Sequence, residues 1–218
     1  MQIIHDNPPE NVMAIGKFES MHLGHQALIN KAKETAAELG LPTVVMSFVP
    51  HPLIVLGNKN YKPLLSTDEV AKVLREICMV DFFLQYPFTI SLSLMSPESF
   101  CKILFVDLKA RTLFVGENYR FGVNRSGTVR HLKKEARLYG ANVTSVAIEK
   151  RKGLQISTSH IRSLILTGEF ALANELLGFN FTTLTKDDYT PNRKRAQRCR
   201  PELHKPSHAQ PTPDCTVL

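Results

Sequence analysis

The sequence lacks the features that mark secreted, zinc-binding and membrane proteins. Its 218 residues include four cysteines, none in a C-x-x-C pair, so neither a disulfide framework nor a zinc knuckle is indicated. Residues 1–11 contain no apolar stretch typical of a secretory signal, and the uncharged stretch Phe82–Pro97 is too short to cross a bilayer. We therefore expect a cytoplasmic protein that does not enter a membrane.

Acidic residues are fewer than basic ones, and the positive excess is spread unevenly. Lys and Arg number 27 and Asp and Glu 20, which gives a net charge of +7. Residues 186–218 carry +3 of this charge and five of the 13 prolines, with few large apolar residues. This composition predicts a domain over residues 1–185 and a basic, proline-rich, disordered tail. A positive chain favours phosphate-rich ligands, but the tail lacks interleaved aromatics, so we do not expect nucleic acid binding.

Short apolar runs alternate with segments of helical periodicity along the chain. The runs predict strands at residues 12–15, 43–48, 81–84, 112–115 and 142–148. The periodic segments predict helices at 25–39, 66–78, 96–105, 128–139, 157–166 and 169–177. This alternation indicates an α/β fold with a five-stranded, mostly parallel sheet and helices on both faces. Because such sheets bind ligands at the carboxyl ends of their strands, the residues after each strand are the candidate site.

The loop after the first predicted strand carries two histidines within G-K-F-E-S-M-H-L-G-H at residues 16–25. His22 and His25 bracket Gly24, which lets a ligand approach the backbone, and His25 begins the next predicted helix. Free N–H groups at a helix start favour an anion, and imidazoles can donate hydrogen bonds to phosphate oxygens. Taken alone, H-x-G-H is equally compatible with two histidines in a surface turn.

Three later loops add polar groups at the same predicted edge. Prolines flank His51 and would hold its imidazole in a rigid loop. Residues 116–127 combine three glycines, two aromatics and two arginines, a composition that suits ring stacking and phosphate binding. Three hydroxyls at 157–159 precede Arg162 at a helix start. Taken singly, these patterns are also those of a turn, a basic surface loop and an N-cap.

In this order, the motifs resemble the adenylyltransferase module of bacterial FAD synthetases, which are usually bifunctional riboflavin kinase/FMN adenylyltransferases. The family pattern runs G-x-F-D-G-x-H-x-G-H, F-x-P-H-P, V-G-x-[DN]-F-x-F-G-x-x-x-x-G, S-S-T-x-I-R and L-L-G. This chain has GKFESMHLGH, FVPHP, VGENYRFGVNRSG, STSHIR and LLG. The resemblance covers residues 12–181 and implies a Rossmann-like nucleotidyltransferase fold.

The resemblance also implies a reaction and roles for individual residues. In such enzymes an FMN phosphate oxygen attacks the α-phosphate of ATP, pyrophosphate leaves, FAD forms, and Mg²⁺ accompanies ATP without a protein metal cage. The catalytic positions fall on His22, His25, Asn118 and Arg162. The ATP-binding positions fall on Gly16, Phe18, Gly24, Ser157, Thr158 and Ser159. The flavin-binding positions fall on Phe48, His51, Pro52 and Arg125.

The chain departs from the family pattern at three places. Glu19 replaces Asp, and Ser20 replaces a glycine, so we expect a strained or reshaped turn there. The three hydroxyls of S-T-S-H-I-R are permuted but retained. The riboflavin kinase barrel that follows L-L-G in the bifunctional enzymes is not expected, because residues 186–218 could not bury its core. We therefore expect FMN to come from a separate riboflavin kinase.

Two other functions are compatible with these residues. One is an H-x-G-H nucleotidyltransferase for another phosphate acceptor, such as phosphopantetheine or glycerol phosphate, which the P-H-P motif and the 116–127 loop disfavour. The other is a catalytically weak or inactive flavin- or nucleotide-binding protein, for which Glu19, Ser20 and the missing kinase motifs speak.

Overall fold

The computed structural model describes residues 1–147, 150–151 and 154–185, so the predicted tail at 186–218 lies outside the described residues. The strands are β1 Gln2–Ile4, β2 Asn11–Ile15, β3 Thr43–Val49, β4 Phe82–Pro87, β5 Ala110–Gly116, β6 Arg120–Phe121, β7 Gly127–Thr128, β8 Asn142–Val146, β9 Lys150–Arg151 and β10 Leu154–Gln155. The helices are α1 Leu23–Leu39, α2 Pro52–Val55, α3 Thr67–Val73, α4 Ile90–Ser93, α5 Pro97–Lys102, α6 Val129–Leu138, α7 Thr158–Thr167, α8 Phe170–Leu177 and α9 Phe181–Thr185.

The main sheet contains six parallel strands in the order β1-β4-β3-β2-β5-β8. From β2 the chain proceeds through α1 to the neighbouring β3, whereas from β5 it proceeds through α6 to β8 on the opposite side. The strand order therefore reverses between β2 and β5. In open α/β sheets this reversal creates a crevice at the carboxyl ends of the two strands, and ligands bind there.

Alternate residues of the strands feed two separate hydrophobic cores. Val12 and Ala14 of β2 pack with α1, α3, α7 and α8 on one face of the sheet. Met13 and Ile15 pack with α5 and α6 on the other face. All five residues of β2 are buried, as expected for a central parallel strand covered on both sides. The prediction of helices on both faces is thus confirmed.

The predicted five strands are all present, and the structure adds a sixth. Strand β1 pairs with β4 at the edge of the sheet, where Gln2 N–H donates to the Asp81 carbonyl at 2.8 Å. Its three residues have no buried alternation, since an edge strand has only one neighbour, and so no apolar run predicted it. The last predicted strand ends earlier than expected, at Val146, and residue 148 lies outside the described part of the chain.

Helix α1 begins two residues earlier than predicted, at Leu23 rather than at His25. The reason is that His22 acts as the N-cap: its carbonyl accepts from the N–H groups of His25 and Gln26, and its side chain also accepts from His25. Helices α3 and α5 each continue into a π-helical turn, Leu74–Cys78 and Ile103–Asp107, which accounts for the longer predicted helices.

We expect Gln26→Met to destabilise the fold. The buried side-chain amide of Gln26 donates to the carbonyls of Met21 and Leu177, both at 2.7 Å, and so ties α1 to the loop after β2 and to the end of α8. Methionine has a similar shape but leaves both carbonyls unpaired, which should lower the free energy of unfolding by about 2 kcal/mol. Urea unfolding measures this change. Glu34→Met, at an exposed site of the same helix, is the control, and equal effects of the two substitutions would contradict the expectation.

Candidate functional site

The two histidines of the first loop lie at the crevice between β2 and β5, where α1 begins. The imidazoles of His22 and His25 stack, with ring centroids 3.8 Å apart and an interplanar angle of 10°. The His22 Nδ1 accepts from the His25 backbone N–H at 3.2 Å, which leaves its Nε2 as the N–H donor. The edge of Phe18 contacts the His25 ring at a centroid distance of 5.2 Å. The helix start and both imidazoles therefore form one compact group.

Both imidazoles are neutral at physiological pH. Burial lowers the pKa of His22 to about 4, although a hydrogen bond to its own backbone opposes part of this shift. Burial, with the neighbouring His22 as a second cause, lowers the pKa of His25 well below its usual range. The Nδ1 atom of His25 is buried without a hydrogen-bond partner within the described part of the chain. The site thus offers N–H donors and helix N–H groups rather than fixed positive charge at this point.

The turn between β2 and α1 has its backbone strain at positions other than the one predicted. The left-handed residues are Phe18, with φ of 50°, and Met21, with φ of 46°, and Ser20 does not share this conformation. The expectation of strain at Ser20 was therefore wrong, because the turn rotates at the residues on either side of the Glu19–Ser20 pair. Both strained side chains are fully buried, so core packing holds them in place. Gly16 is needed because a Cβ there would lie 3.0 Å from the Phe18 ring.

Ser20 links this turn to the start of α7. Its hydroxyl and the Thr158 hydroxyl are 2.8 Å apart, and Ser20 is fully buried. Ser157 caps α7 by accepting from the His160 N–H at 3.3 Å, as predicted for a capping hydroxyl, whereas Ser159 is exposed. The predicted hydroxyls thus adjoin the first loop, although two of the three hold protein groups in this structure.

Glu19 is the central acidic group of the site. Its carboxylate accepts a hydrogen bond from the Tyr61 hydroxyl through Oε2, and the Arg162 guanidinium lies 3.4 Å from the same oxygen. The other oxygen lies 3.9 Å from Nε2 of His51. The Glu19 side chain is 9% exposed, so these partners compensate a largely desolvated charge. Arg162, His51 and the first loop are brought together as predicted, with Glu19 between them.

His51 has the rigid position expected from its flanking prolines. It is buried and caps the short helix α2, since its Nδ1 accepts from the Leu53 N–H at 3.2 Å. Burial lowers its pKa, while the Glu19 carboxylate acts in the opposite direction. Pro52 is the first residue of α2. Phe48 lies further from this cluster and packs its ring against Tyr86, Phe88 and Phe100.

The loop after β5 is close to the imidazoles by topology but not by contact. Asn118 is exposed in the turn that follows β5, the strand paired with β2. Arg125 is exposed and left-handed, with φ of 56°, between the two strands of the β6–β7 hairpin. Among the described residues, no hydrogen bond or ring contact joins either side chain to His22, His25 or Arg162. Their predicted roles would thus be exercised through a bound ligand.

The sequence reasoning missed Tyr61 and did not foresee the partners of Glu19. Tyr61 lies 42 residues from Glu19, in an irregular segment with no motif of its own. The adjoining K-P-L-L-S-T-D-E segment at 62–69 was the available signal. It fixes the position of the preceding loop because Leu64 and Leu65 are buried and Ser66 starts a capping box.

Two structural absences concern the described residues. No group of three or more His, Cys, Asp or Glu side chains is placed to hold a metal ion within residues 1–147, 150–151 and 154–185. Across the same residues, no helix has the length and apolar character that crossing a membrane requires.

A parallel sheet with a helix N-terminus and paired imidazoles at its switch point defines an α/β protein of the nucleotide-phosphate-binding class. The family model described as FAD synthetase matches residues 4–160. The chain belongs to the FAD synthetase family.

Curated relatives and a solved structure agree with this assignment. A bifunctional riboflavin kinase/FMN adenylyltransferase from Listeria monocytogenes is 37% identical over 174 residues, covering 79% of this chain and 55% of that protein. A FAD synthetase from the same organism is 32% identical, covering 77% of this chain and 68% of that protein. The crystal structure of a macrolide-efflux protein from Streptococcus pneumoniae has a TM-score of 0.69 at 26% identity, covering 82% of this chain and 62% of that one. The chain spans about half the length of the bifunctional relatives.

We expect the stability of the protein to fall as the pH drops below 6.5. The folded-state pKa of His22 is about 4 and its ordinary value is 6.5, so the unfolded chain binds more protons between these values. The contribution is complete above pH 6.5 and is lost as the pH falls toward 4. Between pH 7 and pH 5 His22 alone should remove about 2 kcal/mol of unfolding free energy. Urea unfolding at both pH values measures the loss. His22→Gln should show a smaller loss, and equal pH dependence in both proteins would contradict this assignment.

Proposed function

We propose that the protein is an FMN adenylyltransferase, which transfers AMP from ATP to FMN and releases FAD and pyrophosphate. The single observation that carries the proposal is the convergence of His22, His25 and Arg162 on the loop after β2, at the sheet's switch point. Family membership supplies the substrate class. In this reaction an FMN phosphate oxygen attacks the α-phosphorus directly, so the protein provides positioning and charge stabilisation rather than a nucleophile.

The imidazoles and the start of α1 would receive the ATP phosphates. Neutral His22 can donate from Nε2, and the helix N–H groups add donors at the same place. Gly24, within the first turn, allows the phosphates to approach the backbone. Gly16 and Phe18 would border the nucleotide, and Asn118, on the neighbouring strand end, would donate its amide to the reacting phosphates.

Arg162 would hold the phosphates from the side opposite the imidazoles. Its guanidinium uses one nitrogen on the Lys62 carbonyl at 2.8 Å and the other on Glu19, and a guanidinium has five donors, so further N–H groups are available for oxygen atoms of ATP. Ser157, Thr158 and Ser159 lie one turn before it on α7 and would contribute hydroxyls or backbone N–H groups.

The flavin would occupy the edge of the sheet next to this phosphate site. His51 and Pro52 stand at the carboxyl end of β3, and Phe48 gives this edge an aromatic surface. Arg125 would meet the FMN phosphate from the 116–127 loop. Mg²⁺ would be held by ATP phosphates and water, because a hard cation prefers such oxygens and Glu19 is already paired with Arg162. We place the reaction in the cytoplasm.

The direct test is incubation of the purified protein with FMN, ATP and Mg²⁺, followed by chromatography of FAD and measurement of pyrophosphate. We expect FAD and pyrophosphate in equal amounts. Riboflavin with ATP should give no FMN, because we assign only adenylyl transfer to this chain and the FMN to a separate kinase. FMN binding without pyrophosphate release would instead identify a binding protein. AMP transfer to phosphopantetheine or glycerol phosphate in preference to FMN would identify a different transferase.

We expect His22→Ala to lower kcat by about 10²–10³, by analogy with the loss of one preorganised donor to the transition state. His5→Ala, an exposed histidine beyond β1, is the control. The two purified variants are compared by steady-state FAD formation and by circular dichroism. Unchanged turnover in His22→Ala would remove the imidazole from the proposed mechanism.

We expect Arg162→Ala to impair use of ATP to a comparable extent, because the guanidinium is the positive group nearest the proposed phosphate site. Arg111→Ala provides a matched control, since Arg111 is exposed and bonds only the Gly140 carbonyl among the described residues. The measurement is kcat/KM for ATP at saturating FMN. Equal values for the two arginine variants would show that Arg162 does not contact the nucleotide.

A further inference from the structure

The segment between α2 and α3 crosses the rim of the site and has few attachments of its own. Its residues 56–60 are all exposed, and the side chains of Leu64 and Leu65 enter the core at its far end. Short turn bonds stabilise it locally, such as Tyr61 N–H to the Asn58 carbonyl at 2.9 Å. Between the exposed stretch and the core, Tyr61 is the residue whose side chain reaches the site.

Tyr61 contacts three groups that the proposed function uses. Its hydroxyl donates to the Glu19 carboxylate. Its ring stacks on the His51 imidazole, with centroids 4.6 Å apart and an interplanar angle of 21°. The central guanidinium carbon of Arg162 lies 5.5 Å from the centroid of the same ring. One side chain thus joins the acidic centre, the rigid histidine after β3 and the arginine of α7.

Backbone contacts of the same segment reinforce this connection. The Lys62 carbonyl accepts from Arg162 at 2.8 Å, and the Leu65 N–H donates to the Glu19 carbonyl at 2.9 Å. Burial and the Glu19 carboxylate raise the pKa of Tyr61 to about 12, so the phenol keeps its proton and remains a donor. The position of the segment and the orientation of Arg162 therefore depend on each other.

We propose that Tyr61 is a positioning residue that fastens the 56–63 segment to Glu19 and thereby orients Arg162 toward the phosphates of ATP. This inference rests on the proposed function and adds to it a residue that no motif supplied. Tyr61 acts through Arg162 and His51 and does not itself reach the reacting phosphorus. Its loss should weaken ATP binding because the guanidinium must then be ordered when the nucleotide binds.

The first test is Tyr61→Phe, which removes the hydroxyl and keeps the ring on His51 and Arg162. We expect KM for ATP to rise about tenfold while kcat changes by less than about twofold, since a binding contact common to ground and transition states is weakened. Tyr139→Phe is the matched control, because it removes a phenol at the end of α6, away from the site. Equal kinetics in the two variants would overturn the inference.

A double-mutant cycle tests the route through Glu19. Glu19→Gln weakens the ion pair with Arg162, and Tyr61→Phe removes the hydrogen bond to the same carboxylate. If Tyr61 acts through this group, the double variant will bind ATP no more weakly than the poorer single variant. Fully additive effects on ATP affinity would overturn the proposed route.

Two readouts independent of FAD formation separate this inference from the proposed function. Calorimetry measures ATP binding directly, and trypsin cleavage after exposed Lys59, identified by mass spectrometry, reports release of the segment. We expect Tyr61→Phe to bind ATP about tenfold more weakly and to be cleaved faster at Lys59, with Tyr139→Phe like the unsubstituted protein. Absence of FAD formation by the unsubstituted protein would refute the function alone. Unchanged ATP affinity and cleavage in Tyr61→Phe would refute the role of Tyr61, whatever the activity.

Discussion

The interaction on which the candidate site depends is the pairing of the nearly buried Glu19 carboxylate with Arg162 and Tyr61. A carboxylate removed from water needs charged or hydrogen-bonding partners, and Glu19 obtains them from two distant parts of the chain, α7 and the segment before α3. This requirement brings the 56–63 segment, α7 and His51 against the loop after β2. Three of the four elements that border the crevice are therefore positioned by one side chain.

The imidazole pair depends on a different constraint, the burial that accompanies its place at the start of α1. His22 spends its Nδ1 on the helix N-terminus, and the stacked His25 is shielded by Phe18. Both rings are neutral as a result, so the helix start and the N–H donors form the polar surface of the crevice. Attraction to a polyphosphate then comes from oriented dipoles at the imidazoles and from full charge at Arg162.

The substitutions in the first loop are accommodated rather than disruptive. Ser20 lies outside the left-handed region and uses its hydroxyl to bind Thr158, so the turn gains a contact with α7. Glu19, longer by one methylene than the aspartate of the family pattern, reaches Tyr61 and Arg162 together. These two positions were the reason to consider an inactive homologue, and the geometry shows them integrated into the site.

The sequence by itself determined the strands β2 to β5 and β8, the helices that cover them and the motifs at their ends, because apolar periodicity, capping residues and glycine stops are local signals. It also identified the family. Tertiary structure alone decided the edge strand β1, the early start of α1 and the part played by Tyr61. The pairing of β1 depends on the exposed edge of β4, and the partners of Glu19 lie 42 and 143 residues away along the chain. Such contacts leave no periodic trace in the sequence, since they arise only when distant segments compete to compensate one buried charge.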